Sequence, residues 1–351
     1  MADIEKVMGV GATDIEKIMG VAAGDTEKVM GVTLSLGTLV WHGDRAVGFG
    51  GIVSGGDQDV IQYKAVTSSG NTSDFGDLSA GTSQYGVALA DSSRGVHAIG
   101  DLNDTGESNI LEYITIGSTG DAADFGDLTV TRSNTGTTTD GITGLFAAGY
   151  AGSAYRSNVI DYITIGSLGN ATDFGDMIPR FLEGQGYFGS SHRAGVCNTV
   201  RGVWGGGYSS YSAPNQMEEI EYVTIASAGD STDFGDLTDE RTHACAVENS
   251  TRGVFWSGRD GNGADDQVNI IDYITVASTG NATDFGDQTV LCDQATNGMG
   301  NLTRGEKWGG EDSSDVLQDV IQYITIASTG NSTDAGNLLA STRGSGGCSG
   351  T

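Results

Sequence analysis

The sequence is poor in the residues that most chemistry and most staples require. It has 2 prolines, 4 cysteines and 4 histidines in 351 residues, and only 17 basic residues against 46 acidic ones. The net charge of −29 repels phosphate backbones, which argues against a nucleic-acid partner and for a solvated, self-repelling exterior. No apolar run reaches 18 residues, so no membrane-spanning helix is expected and no membrane insertion follows. The first residues lack a basic stretch followed by an apolar one, so a secretory signal is not expected. Cys197, Cys245, Cys292 and Cys348 lack the paired C-x-x-C spacing of zinc sites. Cys245 and Cys348 fall among small residues at matching places in two repeats, which predicts buried free thiols in a reducing compartment.

What the chain has in abundance is glycine, 57 residues of it, without a G-X-Y period that would make it collagen. Recurrent aromatic and β-branched positions argue against disorder. Many short strands joined by tight turns remain. A search for internal periods, the first step for such a composition, finds one phrase six times, in forms such as ILEYITIGSTGDAADFGDL and IIDYITVASTGNATDFGDQ. Its tyrosines, Tyr63, Tyr113, Tyr162, Tyr222, Tyr273 and Tyr323, are 50, 49, 60, 51 and 50 residues apart. A second phrase precedes it, as DRAVGFGG, VRGVWGGGY or TRGVFWSG. Each copy reads as four short strands. In the copy containing Tyr273, Ile270, Asp272 and Ile274 alternate with Ile271, Tyr273 and Thr275, a period of two that marks a strand. Four antiparallel strands per unit of about 50 residues predict a six-bladed β-propeller over 33–351. The glycines of the second strand are expected beside a crowded central channel. The last residues, STRGSGGCSGT, align with the first strand of a further blade, and no such blade follows. They are expected to supply the inner strand of blade 1 and so close the ring, leaving no free edge.

The blade plan resembles the kelch family. The resemblance rests on the glycine pairs Gly50-Gly51, Gly206-Gly207 and Gly309-Gly310, on the third-strand tyrosines, and on the fourth-strand Phe75, Phe125, Phe174, Phe234 and Phe285. The chain departs from kelch in placing Phe where that family usually has Trp, and in the altered pairs Ile99-Gly100 and Ala148-Gly149. The resemblance implies a four-stranded kelch-like blade that binds partners with loops on one face.

Residues 1–32 form a separate repeat of three 11-residue units: DIEKVMGV from Asp3, DIEKIMGV from Asp14 and DTEKVMGV from Asp25. Thr13 with Glu16 matches a capping box and Gly20 a helix C′ position, so short helical turns are expected. Each turn is too short to be stable alone. Ile4, Val7, Met8, Ile15, Ile18, Met19, Val29 and Met30 are the candidate contacts by which such a segment anchors to another subunit or protein. Tandem DIEKVMGV phrases ahead of a propeller resemble the N-termini of structural proteins of marine tailed phages. That implies attachment to a virion through residues 1–32 and an oligomeric assembly, with the protein made in the host cytoplasm.

Catalytic constellations are not found. The Asp-Phe-Gly-Asp turns offer pairs such as Asp124/Asp127 and Asp284/Asp287, far short of the six to eight oxygens calcium takes. The preferred reading is a turn capped by its own Asp and Asn side chains. A kelch-type copper oxidase needs histidine ligands, and His42, His97, His192 and His243 fall at unlike positions of four blades. No nucleophile elbow and no sialidase Asp box occur. Asn71, Asn170, Asn249, Asn281, Asn301 and Asn331 begin glycosylation-like triplets but are expected to be turn residues. No cofactor or metal is expected. The irregular fourth copy carries the insertions GQGYFGSSHRAG and YSSYSAPNQMEE. Tyr187, Tyr208, Tyr211 and Met217 in them are the candidate receptor contacts, because aromatic, serine-rich loops suit sugar or protein surfaces. The expected function is that of a non-enzymatic virion protein, a tail-fibre, receptor-binding or decoration component. The alternatives are a lectin-like or protein-binding module outside any virus and, further off, an oxidase.

Overall fold

The computed structural model describes 42–102, 106–152, 156–182, 186–209, 216–261, 267–295 and 298–351, with backbone alone at 180–182 and 186–188. Nearer the N-terminus it describes two short strands. The chain divides into two units, 1–40 and 41–351.

In the first unit, Glu27–Val29 pairs antiparallel with Val32–Leu34, Val29 opposite Val32. The third 11-residue copy therefore contributes to a hairpin where a helical turn was expected. The β-branched run Val29, Val32, Thr33 favours extended backbone over the single helical turn that the capping pattern could support. Ile4, Val7, Met8, Ile15, Ile18, Met19 and Met30 lie outside the described residues, and of Val29 only the backbone is described.

The second unit is a six-bladed β-propeller of four-stranded antiparallel sheets, with no helix among the described residues. Blade 5 shows the plan. Its inner strand is Cys245–Glu248, its second Arg252–Trp256, its third Ile270–Thr275 and its outer strand Thr283–Asp287. Blade 1 takes its inner strand from the other end of the chain. Gly346–Gly350 pairs with Arg45–Phe49, which pairs with Val60–Ala65 and that with Ser73–Asp77. The C-terminal residues thus close the ring as expected.

Six apolar clusters form the core, one between each pair of neighbouring blades. Between blades 5 and 6, for example, Val247, Val254, Trp256 and Phe285 meet Ile324 and Ile326. All four cysteines are free and buried. The second-strand glycines serve this inter-blade packing and not the channel. A Cβ on Gly253 would lie 2.5 Å from Val196 in the blade before it, and one on Gly305 2.4 Å from Val247. The channel itself is lined by the inner strands.

Within blades 1, 2, 4 and 5, the third-strand tyrosine lies between an arginine and a phenylalanine. Arg252 stands 4.1 Å above the Tyr273 ring, whose partner Phe285 meets it edge-on at 6.1 Å. Phe285 owes its inward aim to a bulge, since Ile271 pairs with Gly286 and Asp272 with Asp284, leaving the residue between them unpaired. The same bulge occurs in all six blades, with Ala335 in place of Phe in blade 6.

The rim explains the recurrent Asp-Phe-Gly-Asp and Ser-Thr-Gly-Asn phrases. Each outer strand is clasped by the turn of the next blade. Gly280 N donates to Phe234 O at 2.8 Å, Ala282 N donates to Asp236 O at 2.7 Å, and Asn281 Oδ1 accepts from Asp236 N at 3.2 Å. The pattern repeats around the ring and returns from blade 6 to blade 1, where Gly70 N donates to Ala335 O and Asn71 Oδ1 accepts from Asn337 N. The glycine of the outer phrase is required by the closeness of this clasp: a Cβ on Gly235 would stand 2.6 Å from the Gly280 carbonyl. The capping side chain therefore acts across a blade boundary and not within its own turn. Asn71, Asn170, Asn281 and Asn331 all do this work, whereas Asn249 and Asn301 cap the turn between inner and second strands.

Candidate functional site

The strand directions place two kinds of connection on one face of the ring. The segments between second and third strands lie there, and so do those that lead from one blade's outer strand to the next blade's inner strand. The second kind is anchored from below by a buried polar residue next to each third-strand tyrosine. In blade 3, Asp161 accepts from Thr129 N at 3.1 Å and from Arg132 Nη2 at 2.8 Å, both arginine and carboxylate being wholly buried. Arg193 with Glu221 and Arg241 with Asp272 repeat this in blades 4 and 5. Where the arginine is replaced by Thr342 or Cys292, the acid is replaced by a neutral amide: Gln62 accepts from Leu339 N at 3.1 Å and Gln322 from Thr289 N at 3.1 Å. In blades 3 to 5 the buried acid has a buried arginine, and in blades 1 and 6 both are replaced by neutral groups, as the cost of an isolated buried charge favours. Blade 2 departs from this, keeping the acid Glu112 with Thr82 in the arginine's place and Ser79 N, Ser79 Oγ and Ala80 N donating to it.

Above these clamps, Tyr85, Asn134, His192, His243, Gln294 and Gly344 occupy one equivalent position each and ring the mouth of the channel. All six have left-handed backbone, with φ of 52°, 54°, 57°, 57°, 48° and 61°. Blade-to-blade hydrogen bonds tie them together. Tyr85 N donates to Gly344 O, Asn134 N to Tyr85 O, His192 N to Asn134 O, and Gly344 N to Gln294 O, at 2.6–3.1 Å. Such a backbone costs a side-chain-bearing residue about 1 kcal/mol or more, and glycine, as blade 1 shows, meets the geometry. Five blades nevertheless place polar or aromatic side chains here, the kind of tolerated strain that collects at functional positions. The channel beneath offers about 130 Å³ of open space.

His192 and His243 correct the sequence reading: they stand at equivalent positions in neighbouring blades, their rings 3.9 Å apart. The insertion before His192 hid the match, since His243 follows Asp236 by 7 residues and His192 follows Asp176 by 16. Burial holds the His243 imidazole down to about 3, with Arg259 and Arg343 adding to the effect. His192 lies well below the ordinary value through burial, then His243 and Arg156. Both are neutral at neutral pH. Among the described residues, no group of three His, Cys, Asp or Glu side chains is arranged to hold a metal ion.

The cations sort by role. Arg45, Arg94, Arg201, Arg252 and Arg304 stack on third-strand tyrosines, and Arg132, Arg193 and Arg241 are the buried clamps. Lys64 pairs with buried Glu306, and Lys307 is buried against Gln288 and Cys292. Among the described side chains Arg156, Arg259 and Arg343 remain, half-buried and on the face around the mouth. Arg259 pairs with Asp293, and Arg259 and Arg343 share Glu311. Arg156 stands between two tyrosines, 4.6 Å from the Tyr150 ring and 5.1 Å from the Tyr208 ring. In the antiparallel bridges of this face, Tyr150, Tyr208, Arg259 and Glu311 take the same place in successive blades.

Of the loop residues expected to meet a receptor, Tyr208 lies on this face, beside Arg156. Met217 is buried, 4% exposed, and its carbonyl accepts from Arg241 N, so it supports the face from behind. Tyr187 lies on the short strand Gly186–Phe188, of which only the backbone is described, and Tyr211 is outside the described residues. Arg156 and the mouth ring were missed from sequence. The available signal was the fixed spacing that puts Asn134, His243, Gln294 and Gly344 each seven residues beyond the outer-strand phrase.

At the opposite end of the channel, His42 Nε2 lies 3.6 Å from Glu248 Oε1, and Cys197 Sγ donates to Thr139 O at 2.6 Å. Burial raises the Glu248 carboxyl to about 8 and the Cys197 thiol well above its usual range. A thiol so held is a packing group and a poor nucleophile. Compared with known proteins, the chain matches no family model and no curated sequence.

Proposed function

We propose that this chain is a non-enzymatic display protein. In this reading residues 1–32 attach it to a larger assembly, a virion, and the propeller presents its loop-bearing face to a partner, a host-surface glycan or protein. One observation carries the presenting face: the six copies agree in the rim clasps and the core but hold five different residue types at the six positions around the channel mouth, five of the six keeping side chains on a backbone suited to glycine. A fold that needed only stability would have no use for that cost. The virion assignment is supported by the tandem DIEKVMGV phrases and their resemblance to phage structural proteins, and the blade plan keeps its likeness to kelch. Tail fibre, receptor-binding protein and head decoration protein all fit this role.

The test has two arms. Mass spectrometry of purified virions should contain the chain, and its absence there would end the virion reading. Deleting residues 1–32 should leave a folded ring that no longer joins the assembly; loss of cooperative melting on that deletion would instead make the segment part of the propeller. A binding propeller outside any virus is the second reading, favoured by the fact that the presenting face is complete within the ring. It predicts partner binding by the ring alone and no particle association.

A further inference from the structure

We infer that Arg156 is the receptor for a single carboxylate carried on an otherwise neutral sugar, bound over the channel mouth between blades 3 and 4. The inference rests on the presenting face proposed above.

The guanidinium is held over the rings of both Tyr150 and Tyr208 by cation–π contact. Stacking uses the face of the planar group and leaves its in-plane N–H donors to meet a ligand. Among the described residues no hydrogen bond or ion pair engages those donors, and Nε is buried without a partner there. Arg259 and Arg343, on the same face, are by contrast already neutralised by Asp293 and Glu311. In a chain of net charge −29, a half-buried cation left without a carboxylate has a purpose that internal pairing does not meet. Two parallel donors in a fixed plane match the two oxygens of a carboxylate.

The rest of the ligand follows from the surroundings and from long-range charge. His192, His243, Asn134 and Gln294 are neutral hydrogen-bonding groups around the mouth, suited to sugar hydroxyls, and Tyr208 offers an amphipathic ring. The amides and imidazoles at the rim of the mouth favour a hydroxylated ligand over an apolar peptide side chain. A polyanion such as a sulfated glycan is repelled by the acidic surface, whereas one carboxylate on a neutral ring meets only the local cation.

The test is titration of the full chain with methyl glucuronide and with N-acetylneuraminic acid, against methyl glucoside and sodium acetate, followed by calorimetry or ligand-observed NMR. Both sugar acids should bind at least about tenfold more tightly than the glucoside, and Arg156→Gln should lose at least about tenfold. Arg156→Lys, which keeps charge but not the fork, should fall between, with melting temperature unchanged in both variants. Binding should weaken as salt rises from about 50 to about 500 mM. Equal binding of glucoside, undiminished binding by Arg156→Gln, acetate as tight as the sugar acids, or tighter binding of an Asp/Glu peptide would each overturn the inference. If particle attachment to cells survives Arg156→Gln but is lost on Tyr85→Ala with His192→Ala, the presenting face stands and only the carboxylate receptor falls.

Discussion

At the rim, each blade spells nearly the same phrase and makes the same clasp on its neighbour, from Asn281 on Asp236 to Asn71 on Asn337. At the channel mouth, the equivalent positions hold tyrosine, asparagine, two histidines, glutamine and glycine. Both regions are built by the same backbone and both are tied by hydrogen bonds from one blade to the next. The difference lies in what the side chains do. At the rim a side chain adds a third bond to two main-chain ones, and Asp or Asn supplies it in each blade. At the mouth the bond is between main-chain groups, so the side chain is released from structural duty and can vary with the ligand. A repeat protein can thus keep a ring closed and diversify one face of it.

The largest effect should come from breaking the ring at its seam. Removing residues 346–351 takes away the inner strand of blade 1 and exposes the edge of Arg45–Phe49, and the variant should lose its cooperative melting transition and aggregate. Next come the buried clamps. Asp161→Ala strands Arg132 in the core and should cost about 3–5 kcal/mol in denaturant titration. The double change Arg132→Thr with Asp161→Gln copies the pairing of Thr342 with Gln62 and should recover a large part of that loss. A double variant no more stable than Asp161→Ala would refute the paired-charge explanation.

Proton linkage gives a third, intermediate effect. His97 and His243 are held down to about 3 and His42 to about 4, chiefly by burial. The unfolded chain therefore binds protons first, and stability present above about pH 6.5 should be lost as pH falls toward these values. Glu248 runs the other way. Its folded value of about 8 exceeds the ordinary carboxyl value, so its contribution is complete below about pH 4.5 and is lost as pH rises through 8. Glu248→Gln should raise Tm above pH 8 and leave it unaltered at acid pH; equal Tm curves for the two proteins would show that this carboxyl ionises freely.

The smallest effects set the rim directly against the mouth. Asn281→Ala removes the one side-chain bond of a clasp and should cost about 1 kcal/mol. His243→Gly reproduces what blade 1 has at Gly344 and should change stability by less than about 1 kcal/mol, the relief of left-handed strain offsetting the added chain entropy. A mouth substitution that destabilised more than the rim one would reverse the division of labour drawn above.

Blade number, strand order and closure could be read from two phrases kept in register, because a strand's side-chain period and a turn's glycine are local properties. The clamps were only half legible. The polar residue before each tyrosine stands in every copy, but its partner is contributed by a connection of variable length, as Arg193 in blade 4 and Arg132 in blade 3 show. The mouth ring was hidden for the opposite reason, since its members share a backbone shape and no side-chain chemistry.

Patterns along the chain already establish that six like units fold into short antiparallel strands, that the last residues complete the first unit, and that the chain is acidic. Those features depend on spacing, turn chemistry and composition, which act over a few residues. It takes the folded ring to bring the outer phrases onto neighbouring blades, His192 against His243, and Arg156 over the rings of Tyr150 and Tyr208. Closing a ring brings residues about 50 positions apart into contact, and no local pattern records which of them will face each other.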